Sequence, residues 1–114
     1  MMFGKLSPVF LGGAFALLAN AAVLDLFSDQ NCQNWIGSRN VFDNTCATGV
    51  PGFQSYMITT AGGDGQVITT FSRDACAGPQ TTCDGAGAVG ECFPAFDSVG
   101  GSNAISSATL CGLA

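Results

Sequence analysis

Two segments of the chain repeat one another. Residues 23–34 (VLDLFSDQNCQN) align with residues 67–78 (VITTFSRDACAG) at an offset of 44 residues, with identical Val, Phe, Ser and Cys at matching places. Two further matches follow in the same order, at offsets of 46 and 47: Cys46 with Cys92, and residues 55–60 (SYMITT) with residues 102–107 (SNAISS). Three anchors in one order indicate a duplicated supersecondary unit. The sequence therefore predicts one domain built from two copies, residues 23–66 and residues 67–114.

Each copy has the pattern of short β-strands. The segments VLDLF and VITTF are rich in β-branched and aromatic residues, with apolar side chains at alternate positions. Gly, Pro, Asn and Asp separate the apolar segments at short intervals, and these residues favour turns. We therefore predict an all-β fold of short antiparallel strands. Its predicted core contains Val23, Phe27, Phe42, Phe53, Ile58, Val67, Phe71, Phe93, Phe96, Ile105 and Leu110.

The first 22 residues predict a secretory signal peptide. They contain one Lys near the start, an apolar run over residues 9–18 and then Ala19-Asn20-Ala21, which are the basic, hydrophobic and small-residue parts of such a signal. The apolar run is too short to span a bilayer. Cleavage is expected after Ala21 or Ala22. The product, residues 23–114 under the later cut, is predicted to be secreted and extracellular.

All six cysteines follow this segment: Cys32, Cys46, Cys76, Cys83, Cys92 and Cys111. An even number of cysteines in a short secreted chain predicts a disulfide framework, and six cysteines allow fifteen pairings. A zinc site is the competing interpretation. It is disfavoured because the chain has no Cys-x-x-Cys motif and no His.

Charge and composition restrict the function. The chain has 3 basic residues, 8 acidic residues and no His, for a net charge of −5. This balance gives no electrostatic basis for binding nucleic acid or an anionic membrane, and catalysis through His is impossible. The acids (Asp25, Asp29, Asp43, Asp64, Asp74, Asp84, Glu91 and Asp97) are scattered without the spacing of a paired-carboxylate site. The sequence predicts a protein that is not an enzyme, has no cofactor and does not insert into membranes.

The segment FSRDACAG (residues 71–78) has the pattern aromatic-x4-hydrophobic-x-Gly. This pattern resembles the aromatic-hairpin signature of βγ-crystallin Greek-key motifs, with Cys76 at a position that is usually aromatic. The first copy, FSDQNCQN, has Asn34 where the pattern has Gly, and Asn is the next most tolerant residue of a left-handed backbone. Small fungal secreted killer-toxin-like and antifungal proteins carry cysteine-bearing versions of this fold. The resemblance implies two four-stranded Greek keys that exchange a strand and share one core; a generic disulfide-rich β-sandwich is the alternative.

Equivalence of the two copies in such a fold suggests the disulfides Cys32–Cys46 and Cys76–Cys92, which leaves Cys83–Cys111. It also predicts that Phe27 and Phe71 are buried at equivalent places over their own turns. The hydroxyls of Ser28 and Ser72 are expected to bond to nearby backbone rather than to a ligand.

The family's calcium-loop signature is two Asn or Asp, any two residues, Ser or Thr, then Ser. SNAISS resembles it, with Asn103, Ser106 and Ser107 in place and Ser102 replacing the first Asn or Asp. The first copy keeps only Thr59 and Thr60. Asn103, Ser106 and Thr59 are therefore candidates for weak calcium binding through oxygen ligands. The alternative, which we favour, is that these hydroxyls bond to the backbone.

The resemblance implies a killer-toxin-like or effector-like antimicrobial protein, acting as a monomer on a cell-wall polysaccharide or surface protein of another organism. Trp35 and Tyr56 are the only Trp and Tyr, and either is a candidate to stack on a sugar ring, with core packing as the alternative role. The alternative functions are a weak calcium-binding structural module and an extracellular proteinase inhibitor. Its candidate inhibitory loop is Gly85 to Gly90.

Overall fold

The computed structural model describes residues 20–97 and 100–113, so most of the predicted signal peptide lies outside the described residues. These described ranges contain eight strands: β1 (Ala21–Phe27), β2 (Trp35–Phe42), β3 (Thr45–Ala47), β4 (Ser55–Thr60), β5 (Val67–Phe71), β6 (Gln80–Gly85), β7 (Cys92–Pro94) and β8 (Ala104–Ala108). They form two four-stranded sheets with the orders β2-β1-β4-β7 and β3-β8-β5-β6. All neighbouring strands are antiparallel, and the all-β prediction is confirmed. Within the described ranges no helix is long and apolar enough to cross a membrane.

The first strand includes the end of the predicted signal segment. Ala21 lies opposite Phe42 in the β1–β2 pair, and Ala22 is fully buried among the core residues. Of the two expected cleavage positions, only the one after Ala21 leaves Ala22 in the sheet.

The two copies exchange one strand each. Strands β1 to β4 come from the first copy and β5 to β8 from the second. However, β3 pairs with β8 in the second sheet, and β7 pairs with β4 in the first sheet. Each copy therefore contributes its third strand to the sheet of the other copy.

A local twofold relation joins the copies. Phe53 and Ser102 exchange backbone hydrogen bonds, of 3.0 Å from Phe53 N–H and 2.7 Å from Ser102 N–H. Gln54 N–H donates to the carbonyl of Phe27, as Asn103 N–H donates to that of Phe71, both at 2.8 Å. Residues 53–54 therefore correspond to residues 102–103, at an offset of 49. The predicted alignment of residues 55–60 with residues 102–107, at an offset of 47, is therefore wrong by two residues.

The core lies between the sheets. Its large buried side chains are Leu24, Leu26, Val41, Phe53, Tyr56, Ile58, Ile68 and Ile105, with Phe93 partly buried against them. Phe27 and Phe71 are buried as predicted, at 7% and 1% exposure, but lie outside this cluster. The prediction was wrong for Phe42 and Leu110, which are 47% and 64% exposed. Phe42 lies at the outer end of an edge strand, and Leu110 follows the last strand.

The three disulfides are Cys32–Cys92, Cys46–Cys76 and Cys83–Cys111. The third predicted pair is confirmed and the other two are wrong. Strand exchange is the reason, because it carries Cys92 on β7 and Cys46 on β3 into the sheet of the opposite copy. Each of these cysteines then bonds to the hairpin loop of that opposite copy.

Candidate binding surface

Of the aromatic residues that the structure describes, Trp35 is the most exposed to solvent. It begins β2, the edge strand of the first sheet, and is 59% exposed. In the antiparallel register it lies directly opposite Phe27, which is almost fully buried. A Trp at this position offers a large flat surface with little conformational entropy to lose on binding.

The loop before Trp35, residues 28–34, is closed by its own hydrogen bonds. The Asp29 carboxylate accepts from the backbone N–H groups of Asn31, Gln33 and Asn34, at 2.8 to 3.2 Å. The Asn34 N–H, followed by those of Gln33 and Asn31, holds the pKa of Asp29 below its usual value. The ionised carboxylate therefore stabilises this loop.

Ser28 also contributes to the loop. Its N–H donates to the carbonyl of Asn34 at 3.0 Å, and its hydroxyl oxygen accepts from the Asn34 side-chain amide. The Ser28 hydroxyl was predicted to bond to backbone, and this prediction is wrong because its partner is the Asn34 side chain. In the second copy the Ser72 N–H makes the matching closure to Pro79 at 3.2 Å.

Ser55 and Cys32 attach the same loop to the first sheet. The Ser55 hydroxyl donates to the carbonyl of Asp29 at 2.6 Å and accepts from the Cys32 N–H at 3.0 Å. Cys32 has a left-handed φ of 56°, whereas Asn34, which the resemblance places at the glycine position, does not have a positive φ. The serine and the disulfide together hold Cys32 in this uncommon conformation. The roles of Asp29 and Ser55 in fixing this loop were not predicted from the sequence, although an Asp followed by several polar residues is a known loop signal.

Tyr56 is not available to a ligand. It is fully buried between the sheets, with its ring centroid 5.3 Å from that of Phe93. Its hydroxyl donates to a carboxylate oxygen of Asp84 at 2.8 Å. Burial, together with the negative charge of Asp84, raises the pKa of the Tyr56 hydroxyl far above its usual value. The sugar-stacking prediction is therefore wrong for Tyr56, whereas Trp35 has the exposure that such a role requires.

The candidate calcium residues make separate internal contacts. The Thr59 hydroxyl donates to the carbonyl of Val23 at 3.2 Å, and the Asn103 side-chain amide donates to that of Ser72 at 2.8 Å. Ser106 is buried, and its hydroxyl has no hydrogen-bond partner among the described residues. Ser107 donates to the side chain of Gln66 at 2.8 Å. Backbone bonding, the favoured alternative, holds for Thr59, while Ser107 bonds to a side chain instead.

Most acidic side chains act as hydrogen-bond acceptors within the fold. Besides Asp29 and Asp84, four more carboxylates accept hydrogen bonds, at 2.6 to 3.1 Å: Asp25 from the Ser38 hydroxyl, Asp43 from Gly63 N–H, Asp74 from Gly49 N–H and Asp97 from Gly100 N–H. In the parts of the chain that the structure describes, no three His, Cys, Asp or Glu side chains form a group that would hold a metal ion. These carboxylates serve to fix loops and strand ends.

The loop from Gly85 to Gly90 combines exposure with anchoring. Disulfide cysteines flank it at positions 83 and 92, and Val89, which is 54% exposed, forms a parallel bridge with Ile58 of β4. Its main chain is attached to β4, because Gly90 N–H donates to the carbonyl of Ile58 at 3.0 Å. The disulfides on either side restrain this loop, but part of its backbone is already hydrogen-bonded to β4.

A groove runs between the edges of the two sheets. Its volume is about 610 Å³, and its lining residues come from β2 and β3: Ser38, Arg39, Asn40, Phe42, Thr45, Cys46 and Ala47. This volume is within the range of small-molecule sites in proteins. The groove is therefore a second candidate binding site beside the edge strand that carries Trp35.

Comparison with known proteins finds no matching family model, curated protein or solved structure. The fold and the disulfides define a class, a small antiparallel β protein of two copies with three disulfides.

Proposed function

We propose that this chain is a secreted, non-catalytic, cysteine-rich protein, killer-toxin-like or effector-like, that binds a cell-wall or surface target of another organism. The exposed Trp35 carries the proposal. A large aromatic side chain at 59% exposure loses contact with water when a ligand covers it. The disulfide and hydrogen bonds of the loop before it reduce the ordering cost of binding.

Three disulfides support secretion, because such bonds persist in oxidising compartments. The exchanged third strands agree with the resemblance to βγ-crystallin-like secreted proteins. The net charge of −5 favours a neutral wall component over an anionic membrane surface.

The test is a sedimentation assay with insoluble cell walls and purified wall polysaccharides. The wild-type protein is expected to sediment with at least one wall preparation, and Trp35→Ala is expected to remain in solution. Leu110→Ala is the matched control, because Leu110 is 64% exposed and lies outside β2. Equal sedimentation of the wild-type and Trp35→Ala proteins, or no sedimentation with any wall, would overturn the proposal. Growth inhibition of the organism whose walls bind then separates a toxin from a non-toxic binding protein.

An extracellular proteinase inhibitor is the second candidate, favoured by one observation. The loop from Gly85 to Gly90 is flanked by two disulfide cysteines and contains the exposed side chain of Val89. Inhibition of any member of a protease panel, lost in Val89→Ala and retained in Trp35→Ala, would select this function. The hydrogen bond from Gly90 to β4 counts against it, because that part of the main chain is occupied.

A further inference from the structure

The outer face of β2 carries an ordered row of side chains. In the register with β1, the residues facing the core are Ala22, Leu24 and Leu26, all fully buried, so the alternate residues lie on the outer face. These are Ala21, Val23 and Asp25, which are half-exposed, and Phe27, which is only 7% exposed. Residues directly opposite each other in an antiparallel pair project to the same face. The β2 residues opposite these outward positions are Trp35, Ser38, Asn40 and Phe42. We call these four residues the β2 row.

A β-bulge brings both aromatic residues into this row. In an uninterrupted strand, Trp35 and Phe42 would point to opposite faces, because seven positions separate them. The register shifts between Leu26 and Phe27, so that Gly37 lies opposite Leu26 and Trp35 lies opposite Phe27. Ile36 is the extra residue of the bulge. Bulges of this kind redirect side chains, and here the result is one aromatic residue at each end of the strand, on one face.

Polar side chains lie between the two aromatic ends. Ser38 and Asn40 are exposed, and the Ser38 hydroxyl donates to Asp25 at 2.6 Å, which leaves its oxygen as an acceptor. The Asn40 amide makes no hydrogen bond to the described residues. Ser38, Asn40 and Phe42 also line the groove of about 610 Å³ beside β3, so the row continues into a concave surface.

The charges on and around the β2 row indicate whether its partner is neutral or ionised. The row itself contains no ionised side chain, and the neighbouring Asp25 is negative. Among the described residues that line the groove, Arg39 is the one cation, and in the register it lies opposite the core-facing Leu24. An anionic polymer is therefore repelled by a protein of net charge −5, whereas a neutral partner is not.

We infer that the β2 row binds a single linear chain of neutral sugars lying along the strand. Sugar rings stack on Trp35 and Phe42 at the two ends, and their hydroxyls bond to Ser38 and Asn40 between them. The distance between the ends is roughly 20 Å, from about 3.3 Å per strand residue, which accommodates several rings. This inference rests on the proposed function, since it specifies the target as a polysaccharide and the site as one face of β2.

Chain length and the two aromatic ends provide the test. Calorimetric titration uses the wild-type protein with neutral glucose and N-acetylglucosamine oligomers of two and of six residues. The six-residue oligomer of at least one series is expected to bind, and its two-residue oligomer to bind far more weakly. Trp35→Ala and Phe42→Ala are each expected to weaken six-residue binding about three- to tenfold, the usual value of one stacking contact. Leu110→Ala is the control and is expected to bind as the wild type does.

The outcomes separate the inference from the proposed function. If walls are bound through Trp35 but Phe42→Ala and oligomer length have no effect, the inference is wrong and the proposed function stands. If binding to walls is abolished by protease treatment of the walls, the target is a protein and the inference is again wrong. If neither walls nor oligomers bind, the proposed function itself fails. Unchanged thermal melts of the variants establish that the substitutions act on binding, because both aromatic side chains are exposed.

Discussion

Tyr56 gives the sharpest test of the core, because it is the only tyrosine in the chain. Its ionisation in the folded state would place a phenolate between two sheets, beside the negative Asp84. Both burial and that charge raise its pKa, so only the neutral form fits the fold. In the unfolded chain the hydroxyl ionises at a pKa of about 10.

The sign of the pH dependence follows directly. A pKa that is raised on folding gives stability that is complete below the unfolded pKa and is lost as the pH rises above it. The free energy of unfolding should therefore be lower than at pH 7 by about 1.4 kcal/mol at pH 11 and by about 2.7 kcal/mol at pH 12. Few other groups titrate in this range, since the chain has no His and its single Lys, Lys5, lies in the predicted signal segment. The α-amino group titrates at about pH 8 in the wild type and in Tyr56→Phe alike, so the difference between the two proteins reports on Tyr56.

The assay is denaturant unfolding from pH 7 to pH 12, with the ultraviolet absorption of the phenolate recorded in parallel. Tyr56→Phe is the matched control, and its stability is expected to change little over this range. At pH 7 the same substitution should cost about 1–2 kcal/mol, less than the usual value for a hydrogen bond to a charged group because Asp84 is partly exposed to water. A phenolate that titrates reversibly near pH 10 while the protein stays folded would refute this account of the core.

Three further predictions concern the framework. Phe71→Ala and Phe27→Ala should each cost about 3–5 kcal/mol, the usual range for a buried Phe; thermal melts measure both, and a near-silent Phe27→Ala would contradict the equivalence of the two copies. Asp29 has a lowered pKa, so its contribution should be present above the unfolded pKa of about 3.9 and be lost as the pH falls through the lower folded value. Acid unfolding of Asp29→Asn against the wild type measures that contribution, and identical acid profiles would contradict it. Non-reducing peptide mapping should give a peptide that joins Cys32 to Cys92, whereas a peptide that joins Cys32 to Cys46 would contradict the strand exchange.

The sequence predicts the strands whose side chains alternate between core and surface. In β1, buried Leu24 and Leu26 alternate with half-exposed residues, and this period of two is visible without a structure. The same rule, applied from Ile58, would have placed Tyr56 in the core, since the two positions share one face of β4. The strands β3 and β7 have only three residues each, which is too short for any period to be recognised.

The exposed aromatic residues were harder to predict for a different reason. The face of the sheet on which the Trp35 side chain lies depends on the bulge in the β1–β2 pair. That bulge is set by backbone register and not by the local composition. Phe42 was expected in the core because large aromatic residues are usually buried. Its position at the outer end of an edge strand is a consequence of sheet order, which no local pattern encodes.

The disulfide error shows what a repeat can and cannot predict. Alignment correctly makes Cys32 equivalent to Cys76, and Cys46 equivalent to Cys92, but it does not say which copy provides the partner. Pairing within each copy would close segments with sequence separations of 14 and 16 residues, whereas the observed bonds have separations of 60 and 30 residues. In the chain-entropy model, taken singly, the longer closures stabilise the fold by about 4.3 and 3.6 kcal/mol, against about 3.0 and 3.1 kcal/mol for the shorter ones. Bonds between copies thus constrain the unfolded chain more, and they hold each exchanged strand in the sheet of the other copy. In a chain with 16 glycines, whose backbone loses much entropy on folding, this difference favours the exchanged arrangement.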